Sequence, residues 1–182
     1  VFNGVSNYAE TGASVSAAGD INGDGIDDLI IGAPFANSFD GAAYVVFGSE
    51  QAWTSPIDLS DLDGTNGFII NSVSAANTLG QSVSAAGDIN GDGFDDVIIG
   101  AILAGTGGVY SGAGYVVFGS DQAWTSSFNL SGLDGTNGFA INGVSNLDEA
   151  GTSVSAAGDI NGDTIADVII GAPKANANGE DS

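Results

Sequence analysis

The stretch DINGDGIDDLIIGAP, Asp20 to Pro34, is written three times in this chain: it returns as DINGDGFDDVIIGAI from Asp88 to Ile102 and as DINGDTIADVIIGAP from Asp159 to Pro173. Each copy follows the run SVSAAG. A turn rich in Asp, Asn and Gly is thereby set between two short runs of small and β-branched residues, which is the pattern of strand, loop and strand.

The repetition reaches well beyond the loop. GAAYVVFGSEQAWTS (Gly41 to Ser55) returns as GAGYVVFGSDQAWTS (Gly112 to Ser126), and LDGTNGFIINSVS (Leu62 to Ser74) returns as LDGTNGFAINGVS (Leu133 to Ser145), so the unit is about seventy residues long. The first unit offers strands at Ser14 to Gly19, Leu29 to Ala33, Ala43 to Phe47 and Gly67 to Val73. The second offers Ser82 to Gly87, Val97 to Ala101, Gly114 to Phe118 and Gly138 to Val144. Val, Ile, Tyr and Phe fill the middle runs and turn residues bound each one. No window of ten or more residues shows apolar spacing of three and four, so helix is expected to be nearly absent. Four antiparallel strands per repeat predict an all-β protein built of β-propeller blades.

The ends fall inside units. Phe2 to Gly12 aligns without a gap on Ile141 to Gly151, so residues 1–11 are expected to be the last strand of a preceding blade. Residues 12–79 then form one blade, 80–150 a second, and 151–182 the first half of a third, an incomplete propeller within one propeller-type domain. SVSAA recurs unchanged at Ser14, Ser82 and Ser153. Small side chains at a fixed position suit a strand crowded near a propeller axis, where neighbouring backbones approach closely. These serines are read as packing residues, because with no His and a single Lys nothing evident could activate them as nucleophiles.

Composition limits the partners. The 182 residues carry 23 Asp and Glu against one basic residue, Lys174, for a formal net charge of −22. Nucleic acid is excluded as a natural partner, since phosphate binding needs clustered Lys and Arg; cations are favoured. Acidic excess also keeps extracellular or halotolerant proteins soluble. Absence of Cys removes disulfides and thiolate metal sites. The longest apolar run is a handful of residues, far short of the ~20 needed for a membrane span. The chain opens on Val1 with no signal peptide, so it reads as a processed product or a piece of something larger.

Counting Asp20 as position one, alternate residues of the loop can turn inward and present Asp20, Asn22, Asp24, the carbonyl of Ile26 and Asp28. The second loop presents Asp88, Asn90, Asp92, the carbonyl of Phe94 and Asp96; the third presents Asp159, Asn161, Asp163, the carbonyl of Ile165 and Asp167. All-oxygen sets of this size suit calcium, a hard cation with six to eight ligands in flexible geometry. Carboxylates packed so closely would repel without a counter-ion. An EF-hand would require Glu at position twelve and flanking helices, but Ile31, Ile99 and Ile170 stand there inside β runs. Magnesium keeps more of its waters, and zinc lacks nitrogen or sulfur donors here. The metal-free alternative is an Asx-rich turn; against it, positions one, three, five and nine stay fixed in three copies while their neighbours vary. In the third loop Thr164 replaces a glycine and Ala166 an aspartate, so up to three calcium ions are expected with the third held more weakly.

These units resemble FG-GAP repeats, the blades of the β-propeller in integrin α subunits and in large bacterial and cyanobacterial surface proteins. The resemblance rests on Gly12-x-Ser14-Val15, the Asp20 to Asp28 loop, Gly32-Ala33-Pro34 and the following YVVFG, and it covers essentially the whole chain. Two departures stand out: Thr11, Leu79 or Ala150 precedes the first glycine where the family has an aromatic residue, and Ile102 replaces the proline. The resemblance implies loops that brace the first hairpin of each blade on one face, partners that dock on the opposite face, and a structural rather than catalytic calcium.

Trp53 and Trp124 are expected to pack a long loop against their own blade, with an exposed sugar or partner anchor as the alternative. Asn129-Leu130-Ser131 is a lone glycosylation sequon, and Lys174 has no evident constellation around it. The expectation for function is a calcium-binding adhesion or protein-interaction module of an extracellular or cell-surface protein. It is not expected to be an enzyme, to bind nucleic acid or to insert in a membrane. The protein or glycan partner is unknown, and the variable loops Phe35 to Asp40 and Leu103 to Ser111 are the candidate docking surface. The alternative is a structural subunit whose open blade edges assemble with other chains into a ring or filament.

Overall fold

Apolar runs such as Leu29-Ile-Ile31 and Val97-Ile-Ile99 are continuous rather than alternating, which suits strands covered on both faces. The computed structural model, which describes residues 1–53, 56–74, 77–105 and 107–175, places them in that setting. The strands are β1 (Phe2–Asn3), β2 (Ser14–Gly19), β3 (Asp28–Ala33), β4 (Ala42–Val46), β5 (Ile57–Asp58), β6 (Gly67–Asn71) and β7 (Leu79–Gly87). They continue with β8 (Asp96–Ala101), β9 (Ala113–Val117), β10 (Ser127–Asn129), β11 (Gly138–Asn142), β12 (Ser153–Gly158) and β13 (Asp167–Gly171). The protein is mostly β; among the described residues the helical turns are short 3-10 turns at Leu59–Asp61 and Leu130–Gly132 and a turn at Ala36–Phe39 whose Asn37 and Ser38 are left-handed. Of the expected segments, 176–182 of the third unit, Thr54 and Ser55 of the Trp53 loop, and Thr106 of the Leu103 to Ser111 loop lie outside the described residues.

Within the first unit β2, β3, β4 and β6 pair antiparallel in that order, and β7, β8, β9 and β11 repeat the arrangement; β12 and β13 form the corresponding first hairpin of the third unit. Two strands were not foreseen. β5 lies parallel to β1, and β10 lies parallel to the outer edge of β6, so the first blade has five strands, the last donated by the next unit. Each is only two or three residues long and is held by a neighbour's edge, which leaves no period of its own to read.

The core lies between blades. Ile30, Val45, Phe68 and Ile70 from the first blade share a cluster with Val83, Val97, Ile99 and Val117 from the second. The alternate residues Ile31, Tyr44 and Val46 turn the other way, onto Phe2, Val5 and Ala9 of the preceding unit. Ile98 and Val116 meet Val154, Val168 and Ile170 of the third unit. Trp124 follows the same rule: it stacks on Phe68 with ring centroids 4.1 Å apart and planes 6° from parallel, while Trp53 meets Phe2 edge-on at 5.7 Å. Each tryptophan therefore reaches the preceding blade, because its loop crosses to that blade through β5 or β10; Trp124 also keeps contacts in its own unit, donating from Nε1 to Ser120 O at 3.3 Å and lying 6.3 Å from the Phe128 ring. Lys174 also has a partner, an ion pair to Glu149 at 2.7 Å.

The SVSAA strands are the innermost, and β7 packs against both β2 and β12. Ser14 Oγ donates to Gly80 O at 2.8 Å and Ser82 Oγ to Gly151 O at 2.9 Å, so each serine hydroxyl joins its blade to the next. A side chain on Gly100 would run into the Gly151 carbonyl and Ser82 Oγ. Replacing Ser82 by Ala should lower stability in urea unfolding by about 1 kcal/mol. Gly100→Ala should cost roughly 3 kcal/mol or more, because the obstacle is backbone and cannot move aside; an equal, small effect from both would remove the close approach of the inner strands.

Candidate metal centre

Successive antiparallel strands send their loops to alternate ends, which puts residues 20–27, 88–95 and 159–166 at one end of the blades. Each loop is launched by the same irregularity. The β2–β3 pairing slips between Ala17 and Gly19, and the slips between Ala85 and Gly87 and between Ala156 and Gly158 repeat it. Gly19 sits at φ 70°, a left-handed bulge that turns the chain out of the strand.

In the first loop the oxygens of positions one and three converge on one donor: Asp24 N donates to Asp20 Oδ1 at 3.0 Å and to Asn22 Oδ1 at 2.9 Å. Gly25 N donates to Asp20 Oδ2 at 2.8 Å, and Ile26 N to Asp24 Oδ1 at 2.9 Å. The second loop reproduces this set. Asp92 N donates to Asp88 Oδ1 and Asn90 Oδ1 at 3.1 and 2.9 Å, Gly93 N to Asp88 Oδ2 at 2.9 Å, and Phe94 N to Asp92 Oδ1 at 3.0 Å. In the third, Asp163 N donates to Asp159 Oδ1 and Asn161 Oδ1 at 3.1 and 2.9 Å, Thr164 N to Asp159 Oδ2 at 2.9 Å, and Ile165 N to Asp163 Oδ1 at 2.9 Å. Thr164 takes φ 76°, the left-handed conformation expected from the glycines it replaces and costly for a β-branched residue.

In the first two loops position nine differs from the others because it is buried, whereas Asp167 of the third is half-buried. Asp28 accepts from Ile21 N at 3.0 Å and from Gly48 N at 2.7 Å, and Asp96 accepts from Ile89 N and Gly119 N, both at 2.8 Å. Both residues are inaccessible to solvent. Each carboxylate thus joins the start of its loop to the turn after the third strand. Burial pushes the Asp28 carboxyl up from 3.8 to about 6; the N–H groups of Gly48 and Ile21 act against this, and the charges of Asp24 and Asp20 add to it. Asp96 is also pushed up to about 6 by burial, opposed by Gly119 and Ile89 and reinforced by Asp92 and Asp88. That reinforcement shows that positions one, five and nine feel one another. In the third loop Asp167 accepts from Ile160 N at 2.9 Å and from Asn161 Nδ2 at 3.4 Å.

Among the described residues no three acidic side chains converge tightly enough to hold a metal alone. An ion here would also need the Asn22, Asn90 or Asn161 amide oxygen and the position-seven carbonyl, which makes the donor set wholly oxygen and fits calcium. Position eight, read from the sequence as a nearby charge for its own loop, faces elsewhere: Asp95 accepts from Asp20 N of the first loop at 2.9 Å. The Asp-Asp doublet at positions eight and nine carried that signal without its direction. The role of Gly48 and Gly119 was likewise hidden, although both close the repeated YVVFG motif.

The chain is similar to human phosphatidylinositol-glycan-specific phospholipase D, with 32% identity over 95% of this chain and 20% of that protein. It is 32% identical to integrin alpha-4 of Xenopus laevis over 88% of this chain and 14% of the integrin. It is 31% identical to integrin alpha-PS5 of Drosophila melanogaster over 97% of this chain and 16% of the integrin. The chain thus spans a fifth or less of the length of these relatives. The model of the FG-GAP repeat matches residues 11–46, 79–117 and 150–182, so that each match begins at or just before an innermost strand and takes in one acidic loop. This chain belongs to the FG-GAP repeat family.

Proposed function

We propose that the chain is a calcium-braced, non-catalytic interaction module of an extracellular or cell-surface protein. The supporting observation is a charge imbalance. Asp28 and Asp96 are buried beside further aspartates, and the chain's single basic side chain, Lys174, is engaged with Glu149. Ionised carboxylates in such a place need a cation from outside. FG-GAP repeats often bind calcium, and the oxygen set of each loop suits that ion. Bound calcium stabilises the folded blade by mass action and leaves the acids no free proton chemistry.

The docking surface is assigned to the opposite end, where the loops expose Phe39, Val109, Tyr110 and Leu147. Phe39 and Tyr110 occupy equivalent places in their units and both take positive φ, so the backbone turns each ring outward at the loop tip. Rings of this kind supply contact area to a protein or glycan partner. A second copy of the chain is the alternative partner, since β5 and β10 show that the outer edge of a blade accepts a parallel strand.

Each site held at about a hundred times its calcium Kd should raise the melting temperature by roughly 5–10 °C. Chelator should remove the rise and magnesium should not restore it; an unchanged melting curve would defeat the calcium reading. The response to pH should flatten with the metal. Asp28 and Asp96 titrate near 6 in the fold against an ordinary 3.8, so the folded state binds the proton more tightly. In chelator that contribution is fully present below about pH 4 and is lost as pH rises through 6. With calcium saturating, the ion takes the place of the proton, so the gain on acidification through 6 disappears and stability stays nearly level down to about pH 5. The melting temperature should rise from pH 7 to pH 5 in chelator and stay nearly level in calcium; the same rise in both would overturn the assignment of position nine. Thr164→Gly should relieve about 1 kcal/mol of backbone strain and tighten the third loop's calcium binding about fivefold, as read by calorimetric titration; no change would detach that residue from the site.

A further inference from the structure

Asp95 belongs to the second loop by sequence and to the first by contact. Its carboxylate Oδ2 accepts from Asp20 N at 2.9 Å, and its own N–H donates to Asp20 O at 3.2 Å, so residue 95 holds both main-chain groups of the first ligand position. The fit is close: a side chain on Gly19 would collide with the Asp95 carboxylate, and one on Gly23 with the ring of Phe94. Ser120 N, also from the second blade, donates to Ile21 O at 2.9 Å. The backbone of the first loop is therefore fixed from the second blade at residues 20 and 21, where the ligand set starts.

The next interface keeps the main-chain half of this arrangement and lacks the side-chain half. Ala166 N donates to Asp88 O at 3.2 Å, as Asp95 N does to Asp20 O. The alanine methyl lies over Gly87, in the place that the Asp95 carboxylate takes over Gly19. Alanine has no oxygen to offer Asp88 N. The substitution at residue 166 thus bears on the second loop, one blade away from the loop that contains it.

We propose that Asp95, the eighth residue of the second loop, is a positioning residue for the loop of the preceding blade, so that it orders the first cation site and ties its occupancy to docking of the second blade. The inference rests on the calcium reading of the loops and adds a direction to it: affinity in one blade is set partly by the next. A hydrogen bond that fixes the first ligand position acts on the metal from behind its ligand, a kind of contact whose loss commonly weakens binding tenfold or more. By the same logic the second loop, facing Ala166, is the less ordered of the first two.

The test is an amide-resolved NMR titration of the 182-residue chain with calcium, following Gly23 and Gly25 for the first loop and Gly91 and Gly93 for the second. Asp95→Ala should weaken calcium about tenfold at the first loop and leave the second unchanged, although the substitution lies in the second. Asp95→Asn keeps an acceptor for Asp20 N and should recover most of that loss, which a general packing defect would not do. Ala166→Asp should tighten the second loop by a similar factor and leave the third unchanged. Weakening confined to the second loop in Asp95→Ala, or equal weakening at both, would overturn the proposal. If no loop of the unsubstituted chain responds to calcium, the calcium reading fails separately. The positioning contact is still read in metal-free protein, where Asp95→Ala should speed hydrogen exchange of the Asp20 amide about tenfold or more; unchanged exchange there would overturn it.

Discussion

A buried aspartate that accepts two main-chain hydrogen bonds is the constraint around which each blade closes. Asp28 opens β3, yet its two oxygens reach Ile21 N at the start of the loop and Gly48 N beyond the end of β4. Three separate points of the chain are brought to one carboxylate, and Asp96 does the same through Ile89 and Gly119. A neutral side chain could satisfy one of these donors, but only a carboxylate offers both oxygens as acceptors in a planar fork. The cost is a negative charge in a place without water. The other loop acids, which would spread apart if charge alone governed them, stay close because main-chain N–H groups fix them one by one. The backbone thus prescribes the cluster of acids, and a cation of the kind proposed would lower its energy.

The blade is not an independent unit. Its strands turn alternate residues to different neighbours, so Ile30 and Ile31, adjacent in sequence, belong to different hydrophobic clusters. The inner strands are joined by serine hydroxyls, the outer edges by β5 and β10, and the acidic loops by main-chain bonds such as Asp95 N to Asp20 O and Ala166 N to Asp88 O. Repeat proteins gain stability as a sum of unit and interface contributions. Here the interface holds most of the buried apolar residues, and the metal-loop end is built into it.

The sequence was most informative where chemistry repeats. Ser14–Gly19 is predicted to the residue, and the other strands of the two full units differ from expectation by a few residues at most, because apolar runs bounded by turn residues leave little choice of register. In the loops the side chains at positions one, three and five accept from neighbouring main-chain N–H groups. What could not be read was direction. Nothing in a doublet such as Asp95-Asp96 tells that one carboxylate points back across an interface and the other into its own blade. Trp53 and Trp124 show the same limit: an aromatic residue in a long polar loop announces that it packs, while the neighbour it packs on is a matter of blade geometry.

The two ends of the blades differ for a related reason. At the acidic end the side chains themselves fold the loop: those at positions one, three, five and nine accept from main-chain N–H groups, so substitution there changes the backbone. At the other end the loops are held by main-chain bonds to the neighbouring unit: Thr78 N to Phe39 O, Leu147 N to Val109 O and Glu149 N to Tyr110 O. A main-chain contact of this sort is indifferent to the residue that makes it. Phe39, Val109, Tyr110 and Leu147 can therefore vary while the loop path is kept, and the segments from Phe35 to Asp40 and from Leu103 to Ser111 differ in both length and composition. The acidic loops and the variable loops are separated by the full length of the strands, so residues at the variable end can change without touching the hydrogen bonds that fold the acidic end.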